Sequence, residues 1–292
     1  MKETEHRFGG AWTEIKLKVL RDYLRFYTQA LKNQPFKLLY IDAFAGTGDR
    51  TVSGDQPSLF VSQRRLRGSA RIALEMERPF DRYVFIERNL RRFQVLETLR
   101  RQSPQHQIEC LRGEANSELQ DLCARIAWRQ YRAVLFLDPY GLSVAWATLQ
   151  RIARTQAIDL WYLFSLSGLY RQTARDFERV DPAGAARLDR VLGTPDWWEA
   201  FYAPTAPTSQ ADLFGEPASA SIRRHANVDA IEAFVGDRLR AAGFAKVAEP
   251  LRLLLRGGAP LYALFFCVSN PNPKAIALSM RAADHLLKAA RR

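Results

Sequence analysis

The 292-residue sequence predicts an α/β fold: a mostly parallel seven-stranded sheet with helices on both faces and an antiparallel hairpin near the C-terminus. Two observations predict this fold. Five short apolar runs alternate with segments whose apolar residues recur every three or four positions, which is typical of βαβ units. Two further apolar runs follow, and Gly257-Gly258 separates them, which favours a hairpin. We therefore expect five parallel strands followed by an antiparallel pair.

The predicted elements follow one another in a regular order. The first helix spans 12–33, where Leu17, Leu20 and Leu24 begin an apolar stripe. Strand-like runs are found at 37–44, 82–87, 107–111, 133–138, 158–165, 247–255 and 261–269. Helical patterns are found at 69–77, 89–102, 116–127, 144–155, about 172–202, 228–239 and 273–290. This alternation implies a sheet that helices cover on both faces.

The chain divides into three predicted parts. Residues 1–169 form the N-terminal part of the sheet domain, and residues 222–292 complete the same domain with a helix, the hairpin and a last helix. Between them, residues 170–221 are an insertion of helices followed by a flexible linker rich in Pro, Ala, Ser and Thr. Trp197-Trp198 and Phe201-Tyr202 are interpreted as the core of this insertion, with base stacking as the alternative.

The formal net charge of +12 comes largely from local groups of arginine. Arginine presents a planar fork that suits phosphate, so the charge predicts a nucleic-acid partner. The alternative is a set of solvated helix faces. Arg64, Arg65 and Arg67 lie in an apparent insertion after the first strand, where they are candidates for gripping a phosphate backbone or for a solvated loop.

Several functional classes are disfavoured by the composition. Cys110, Cys123 and Cys267 are far apart and form no CxxC pair, and the four histidines are scattered, so neither a disulfide framework nor a metal site is predicted. The sequence has no run of 18 apolar residues and no apolar core of a signal peptide. It therefore predicts a soluble, cytoplasmic protein without a membrane partner.

Residues 40–48, Tyr-Ile-Asp-Ala-Phe-Ala-Gly-Thr-Gly, place a tight turn of small residues at the end of an apolar strand. Small residues allow a ligand to approach the backbone, and parallel sheets bind ligands at the carboxyl ends of their strands. The segment resembles motif I of S-adenosylmethionine (SAM)-dependent methyltransferases, which implies cofactor contacts from Asp42, Phe44, Ala45, Gly46 and Gly48. A generic βα turn is the alternative.

The next two strand ends extend this resemblance. Glu87 ends the second strand, where related enzymes carry a carboxylate that accepts both ribose hydroxyls. The alternative for Glu87 is a charge at the start of a helix. Glu114 and Ala115 follow the third strand, where related enzymes have Gly-Asp-Ala beside the adenine. Glutamate replaces that aspartate here.

The fourth strand ends in Leu-Asp-Pro-Tyr-Gly, residues 137–141. The segment resembles the D/N/S-P-P-Y/F motif of amino-methyltransferases with one proline missing, which makes Asp138, Pro139 and Tyr140 the candidate catalytic residues. In that motif the side chain and a proline carbonyl hold the amine hydrogens, and the aromatic ring stacks on the base. A simple turn and a fold with repurposed chemistry are the alternatives.

The resemblance extends to a particular family. A W-T-x-x-K-L helix at 12–17, Gly68-Ser69 and the segment 188–197 accompany these motifs. Together they resemble the three-Cys-motif partner family, a class I SAM-dependent methyltransferase-like group. The resemblance implies a Rossmann-like class I methyltransferase fold, SAM as cofactor, and a three-Cys-motif radical-SAM-like protein, encoded nearby, as partner.

Two functions follow as expectations. The leading one is SAM-dependent methylation of nucleic acid, with DNA favoured over RNA. The alternative is a non-catalytic or repurposed module that presents DNA to the radical-SAM-like partner in repair. A nuclease is disfavoured because the sequence lacks a cluster of metal ligands.

The linker contains one apolar pair in the segment Gln-Ala-Asp-Leu-Phe, residues 210–214. Gln210, Leu213 and Phe214 resemble the peptide by which bacterial repair proteins dock on the sliding clamp, where the two apolar residues fill a pocket. The alternative is that Leu213 and Phe214 pin the insertion to its own domain.

Overall fold

The elements of the chain are described by a computed structural model over residues 11–46, 49–50, 66–204, 221–255 and 257–291. Within these ranges the strands are β1 Lys37–Asp42, β2 Asp49–Arg50, β3 Leu66–Arg67, β4 Arg82–Ile86, β5 Ile108–Leu111, β6 Tyr131–Leu137, β7 Ile158–Phe164, β8 Tyr202–Pro204, β9 Ile222–Arg224, β10 Lys246–Val247, β11 Leu251–Leu254 and β12 Pro260–Val268. The α-helices are α1 Ala11–Ala30, α2 Ser69–Leu74, α3 Leu90–Gln102, α4 Ala115–Arg125, α5 Trp146–Arg154, α6 Leu166–Gln172, α7 Pro182–Leu192, α8 Trp197–Phe201, α9 Val228–Ala241 and α10 Pro273–Ala290.

One large sheet organises the molecule. Its strands lie in the order β5-β4-β1-β6-β7-β12, and β10 and β11 both pair with β12 at the edge. The first five of these strands are parallel to one another, whereas β12 runs antiparallel to β7. This is the strand arrangement of the Rossmann-like class I methyltransferase fold, so the predicted fold class is confirmed.

The strand order also fixes where a ligand site is expected. The chain winds outward from β1 through β4 to β5, then returns to β6 on the other side of β1. The crossover helices diverge at such a switch point, which leaves a crevice outside the carboxyl ends of the two central strands. Asp42 ends β1 and Asp138 follows β6, so the topology brings these two predicted residues to the same edge.

The edge strand differs from its prediction as a single run, because it is divided into β10 and β11. Val247 pairs with Cys267 and Leu251 pairs with Leu264, so three residues on one strand face two on the other. An extra residue of this kind makes a bulge. Pro250 lies inside the bulge, where the absence of a backbone N–H costs no ladder hydrogen bond. Among the described residues the sheet therefore has eight strands, where seven were predicted.

Side chains of the sheet alternate between two buried layers. Leu39 and Ile41 point into a core shared with α4, α5, α6, α7, α8 and α9. Leu38 and Tyr40 point into a second core, on the side of α1, α2, α3 and α10. This period of two, with apolar residues on both faces, is what a parallel sheet between two helical layers requires.

The region after β7 begins its helices earlier than the sequence predicts. The Ser165 hydroxyl accepts a hydrogen bond from the Gly168 N–H at 3.1 Å, so it caps α6 at Leu166. Trp197 and Phe201 are buried, as expected for a core, whereas Trp198 is 40% exposed. The antiparallel pair β8–β9 was not predicted; it brackets residues 205–220. The predicted domain boundaries stay predictions.

Gly193 is required by the joint between α5 and α7. Its φ is +70°, and a Cβ there would lie 2.2 Å from the Trp146 ring. We expect Gly193→Ala to lower the free energy of unfolding by about 3 kcal/mol, since backbone strain and overpacking add. Gly236→Ala in α9 is the matched control. Its Cβ would meet only ordinary contacts, the closest at 3.7 Å, so it should stabilise by about 0.5–1 kcal/mol. Urea unfolding measures both values; equal effects would contradict this account.

Candidate active site

A cavity of about 600 Å³ lies at the carboxyl edge of the sheet. It brings together five of the predicted site residues, which are Phe44, Glu87, Glu114, Ala115 and Tyr140. These residues follow four different strands, β1, β4, β5 and β6. The cavity is therefore built by the strand-end segments that the sequence singled out.

The turn after β1 forms one wall of the cavity. The Asp42 side chain is fully buried, and its Oδ1 accepts a hydrogen bond from the Phe44 N–H at 3.2 Å. The Ala45 N–H donates to the Ile86 carbonyl at 3.1 Å, which fixes the turn against β4. Gly46 has a φ of +62°, and nothing lies within 4 Å of the Cβ that it lacks. The turn thus combines a left-handed glycine with open space beside its backbone. Gly48 lies outside the described residues.

Burial has a measurable effect on Asp42. Removal from water raises the pKa of its carboxyl from 3.8 to about 7. Hydrogen bonds from the Ser69 hydroxyl and the Phe44 N–H lower this pKa, but the effect of burial is larger. Asp138 raises this pKa further and Lys16 lowers it. Oδ2 is buried and accepts no hydrogen bond of good geometry in the described part of the chain. A buried oxygen of this kind is available to a bound donor.

The raised pKa predicts the pH dependence of stability. Between about pH 4 and pH 7 the folded state holds the Asp42 proton and the unfolded state does not, so stability falls as the pH rises through this window. We expect Asp42→Asn to remove this loss, and its stability relative to the wild type should rise by up to about 4 kcal/mol from pH 4 to pH 8. Thermal unfolding without cofactor measures it, with the exposed Asp121→Asn as control. A constant difference across this range would contradict the assignment.

Glu87 lies at the end of β4 and is 8% exposed. Its Oε1 accepts a hydrogen bond from the Asn89 N–H at 2.7 Å, and Asn89 in turn caps α3. The carboxylate is therefore held at the cavity wall by the start of a helix. One oxygen supports the start of the helix, as one interpretation of Glu87 expected, and the side chain lines the cavity. The predicted contact of Glu87 with the ribose hydroxyls stays a prediction.

Glu114 has a structural role that the sequence did not predict. It is the N-cap of α4, and its Oε2 accepts hydrogen bonds from the Asn116 and Ser117 N–H groups at 2.9 and 3.2 Å. The Asn116 amide donates to Glu114 Oε1 and to the Ser143 carbonyl. These bonds tie the segment after β5 to the segment after β6. The predicted cofactor contact of Glu114 stays a prediction.

Asp138 is held by a lysine that lies 122 residues earlier in the chain. Lys16 Nζ lies 2.5 Å from Asp138 Oδ2 and 5.0 Å from the centre of the Trp12 ring. The Lys16 side chain is 1% exposed and that of Asp138 is 20% exposed. An ammonium buried this deeply requires a partner of opposite charge. Asp138 is therefore an ion-paired carboxylate that solvent still reaches.

Tyr140 is exposed and lines the cavity. It is 77% exposed, and Arg92 of α3 donates a hydrogen bond to its hydroxyl at 3.0 Å. The Arg92 guanidinium lies 5.4 Å from the ring centre. Pro139 is buried between Asp138 and Tyr140. Arg92 and Tyr140 both line the cavity.

The remaining predicted residues lie outside this cavity or outside the described ranges. Arg67 belongs to β3, which pairs with β2 in the segment after the β1 turn. Residues outside the described part of the chain are Arg64, Arg65, Gln210, Leu213 and Phe214. Their predicted contacts with nucleic acid and with the clamp stay predictions.

Sequence reasoning assigned no role to Lys16, Arg92 or Asn116. Lys16 carried a detectable signal, because it lies on the apolar stripe of α1 with Leu20 and Tyr23. Arg92 and Asn116 gave no comparable signal, since a polar residue in the first turn of a helix is ordinary.

Two further findings concern the described residues alone. Their His, Cys, Asp and Glu side chains form no group of three or more suited to a metal ion. None of their helices combines the length and the apolarity needed to cross a membrane.

The sequence matches no protein-family model and no curated protein. Among solved structures, LPL1258 from Legionella pneumophila str. Philadelphia 1, described as DUF519, is 12% identical over 93% of this chain and 92% of its own, with a TM-score of 0.47. The N-terminal domain of EvdMO1 with SAH bound is 12% identical over 85% of this chain and 80% of its own, with a TM-score of 0.38. The putative methyltransferase yhhF from Escherichia coli is 12% identical over 70% of this chain and 86% of its own, with a TM-score of 0.32. The methyltransferase-like fold therefore rests on the strand order, and membership of the three-Cys-motif partner family stays a prediction.

Proposed function

We propose that this chain is a SAM-dependent methyltransferase that acts on an amino group of nucleic acid, with DNA favoured over RNA. The observation that carries the proposal is the position of Asp138: the carboxylate follows β6 at the switch point, and Tyr140 of the same segment lines the cavity between β1, β4 and β5. The net charge of +12 favours a polyanionic substrate.

Groups of the turn after β1 and of the cavity lining fit the proposed cofactor. Asp42 offers a buried oxygen without a hydrogen bond of good geometry, and Gly46 leaves open space at the turn. Glu87 supplies a carboxylate suited to a diol. When bound, SAM supplies a methyl group on a positively charged sulfur, which an acceptor nitrogen can attack.

Asp138 and Pro139 would position the acceptor. In this proposal the carboxylate and the proline carbonyl accept hydrogen bonds from the amine, which orients the nitrogen lone pair. The surplus proton on the methylated nitrogen then leaves to water. The partial exposure of Asp138 gives that proton a route to solvent.

The test begins with calorimetric titration of SAM and of its demethylated product. Transfer of labelled methyl groups to duplex DNA, single-stranded DNA and RNA then follows, with and without the radical-SAM-like partner. We expect binding of both compounds and labelling of DNA. A protein that binds the cofactor and labels no nucleic acid under either condition would contradict catalysis.

The second candidate is a module that recognises DNA and presents it to the radical-SAM-like partner in repair. Two observations favour it, because each gives a candidate catalytic side chain a partner within the chain. Lys16 pairs with Asp138, and Arg92 donates a hydrogen bond to Tyr140. In this case the partner's activity should depend on the chain and survive Asp138→Ala. Recruitment by the sliding clamp through Gln210, Leu213 and Phe214 belongs to either candidate. It is tested by fluorescence anisotropy of a labelled 206–218 peptide, and absence of binding would exclude it.

A further inference from the structure

The Lys16–Asp138 pair has a chemical consequence for the substrate. Lys16 lies on the buried stripe of α1, and its Nζ is 2.5 Å from Asp138 Oδ2. A buried ammonium so close to a carboxylate matches the charge of that carboxylate. Asp138 therefore presents a neutral ion pair, and not an isolated negative charge, to anything that binds beside it.

Nearby groups add little negative charge to this pair. Burial raises the pKa of the Asp42 carboxyl to about 7, so a large fraction of it is protonated at neutral pH. Burial also raises the pKa of the Tyr40 hydroxyl, which keeps that group neutral. On the exposed side, Arg92 of α3 contributes a positive charge at Tyr140. Within the part of the chain that the structure describes, these groups thus add no excess negative charge around Asp138 that would attract a cation.

We propose that Lys16 is a positioning residue which neutralises Asp138 and thereby restricts the methyl acceptor to an uncharged amino group, such as the exocyclic amine of a nucleobase. This inference rests on the proposed function, and it excludes alkylammonium groups such as a lysine side chain. An uncharged amine needs hydrogen-bond acceptors to orient it, and it gains little from a net negative charge.

The size of the discrimination follows from Coulomb's law. A substrate ammonium on the Asp138 carboxylate would lie about 5 Å from Lys16 Nζ, and their repulsion at an effective dielectric constant near 20 makes its binding about 100-fold weaker than binding to the same carboxylate without Lys16. The affinity of a neutral nucleobase amine does not change in this way, because the amine carries no net charge. We therefore expect the wild type to label a single-stranded DNA oligonucleotide faster than a lysine-containing peptide, and we expect this preference to shrink when Lys16 is removed.

The experiment compares Lys16→Met with Lys18→Met in the full chain. Lys18 is on the same helix, but its side chain is 71% exposed and pairs with Asp22, so this variant is the matched control. Lys16→Met should lower kcat on DNA about 30-fold and reduce the preference for DNA over the peptide about tenfold, because it leaves Asp138 with an unmatched charge. Affinity for SAM should stay within about threefold. Lys18→Met should behave as the wild type.

Lys16→Met can also unfold the protein, since it leaves a carboxylate without its partner. The double variant Lys16→Met/Asp138→Asn addresses this, because a neutral amide needs no ammonium and still offers an oxygen to the amine. It should recover folding and raise the DNA rate about fivefold above that of Lys16→Met. If Lys16 had only a structural role, the double variant would not raise the rate on DNA in this way.

The outcomes separate this inference from the proposed function. Wild-type protein that binds SAM but labels neither acceptor contradicts the proposed function; the charge inference about the acceptor then falls with it. Wild-type protein that labels the peptide as fast as DNA leaves methyl transfer intact and overturns the inference. So does a Lys16→Met variant with the kcat and preference of the wild type, or a double variant without rescue.

Discussion

Asp138→Ala is expected to lower methyl transfer to DNA about 1,000-fold, while affinity for SAM changes little. The reason for the rate loss is positional: without the carboxylate, the Pro139 carbonyl alone orients the acceptor amine. Transfer of labelled methyl groups measures the rate, and calorimetric titration measures the affinity. Retention of the wild-type rate within about fivefold would contradict a catalytic role for Asp138.

The same variant is expected to be unstable, which complicates the assay unless it is controlled. Asp138→Ala leaves the Lys16 ammonium buried without its partner, a change that costs about 3–5 kcal/mol. Asp138→Ala/Lys16→Met removes both charges and should recover most of that stability without recovering activity. If the double variant is folded and still transfers no methyl groups, the loss of activity is due to the missing carboxylate and not to unfolding.

Glu87→Ala is expected to weaken SAM binding about 100-fold. One or two hydrogen bonds to a charged acceptor contribute about 1.5–3 kcal/mol each, which corresponds to a change of this size. Calorimetric titration at several protein concentrations measures the dissociation constant. The matched control is Glu97→Ala on α3, since Glu97 pairs with Arg100 and lies outside the cavity lining. A dissociation constant within about threefold of the wild type would show that Glu87 serves only the start of α3.

The main sheet was predictable because its signals are local. Each strand of the parallel part is a short apolar run, and each crossover helix has its own periodicity, so the order of elements determines the fold class. The bulge at Pro250 and the early start of α6 were not predictable in the same way. The bulge depends on register against β12, and the start of α6 depends on whether the Ser165 hydroxyl turns toward the Gly168 N–H.

The residues of the candidate site that lie at strand ends could be predicted from the sequence. A residue that a distant helix contributes, such as Lys16, could not. Asp42, Glu87 and Asp138 follow apolar strands, and parallel topology brings strand ends together. Lys16 lies 122 residues before Asp138, and no local pattern indicates which carboxylate it meets. Its position on an apolar stripe indicates only that the buried ammonium must have a partner of opposite charge.

The position of Lys16 links the environment of Asp138 to the stability of helix α1. α1 packs against α10 and contributes Lys16 without carrying any strand-end residue of the cavity. Local opening of α1 would thus withdraw the ammonium from Asp138 while the cavity between β1, β4 and β5 stays folded. Hydrogen exchange of the α1 amides would report the fraction of molecules in which α1 is open. A fusion or truncation that increases this fraction should lower the rate of methyl transfer before it weakens cofactor binding.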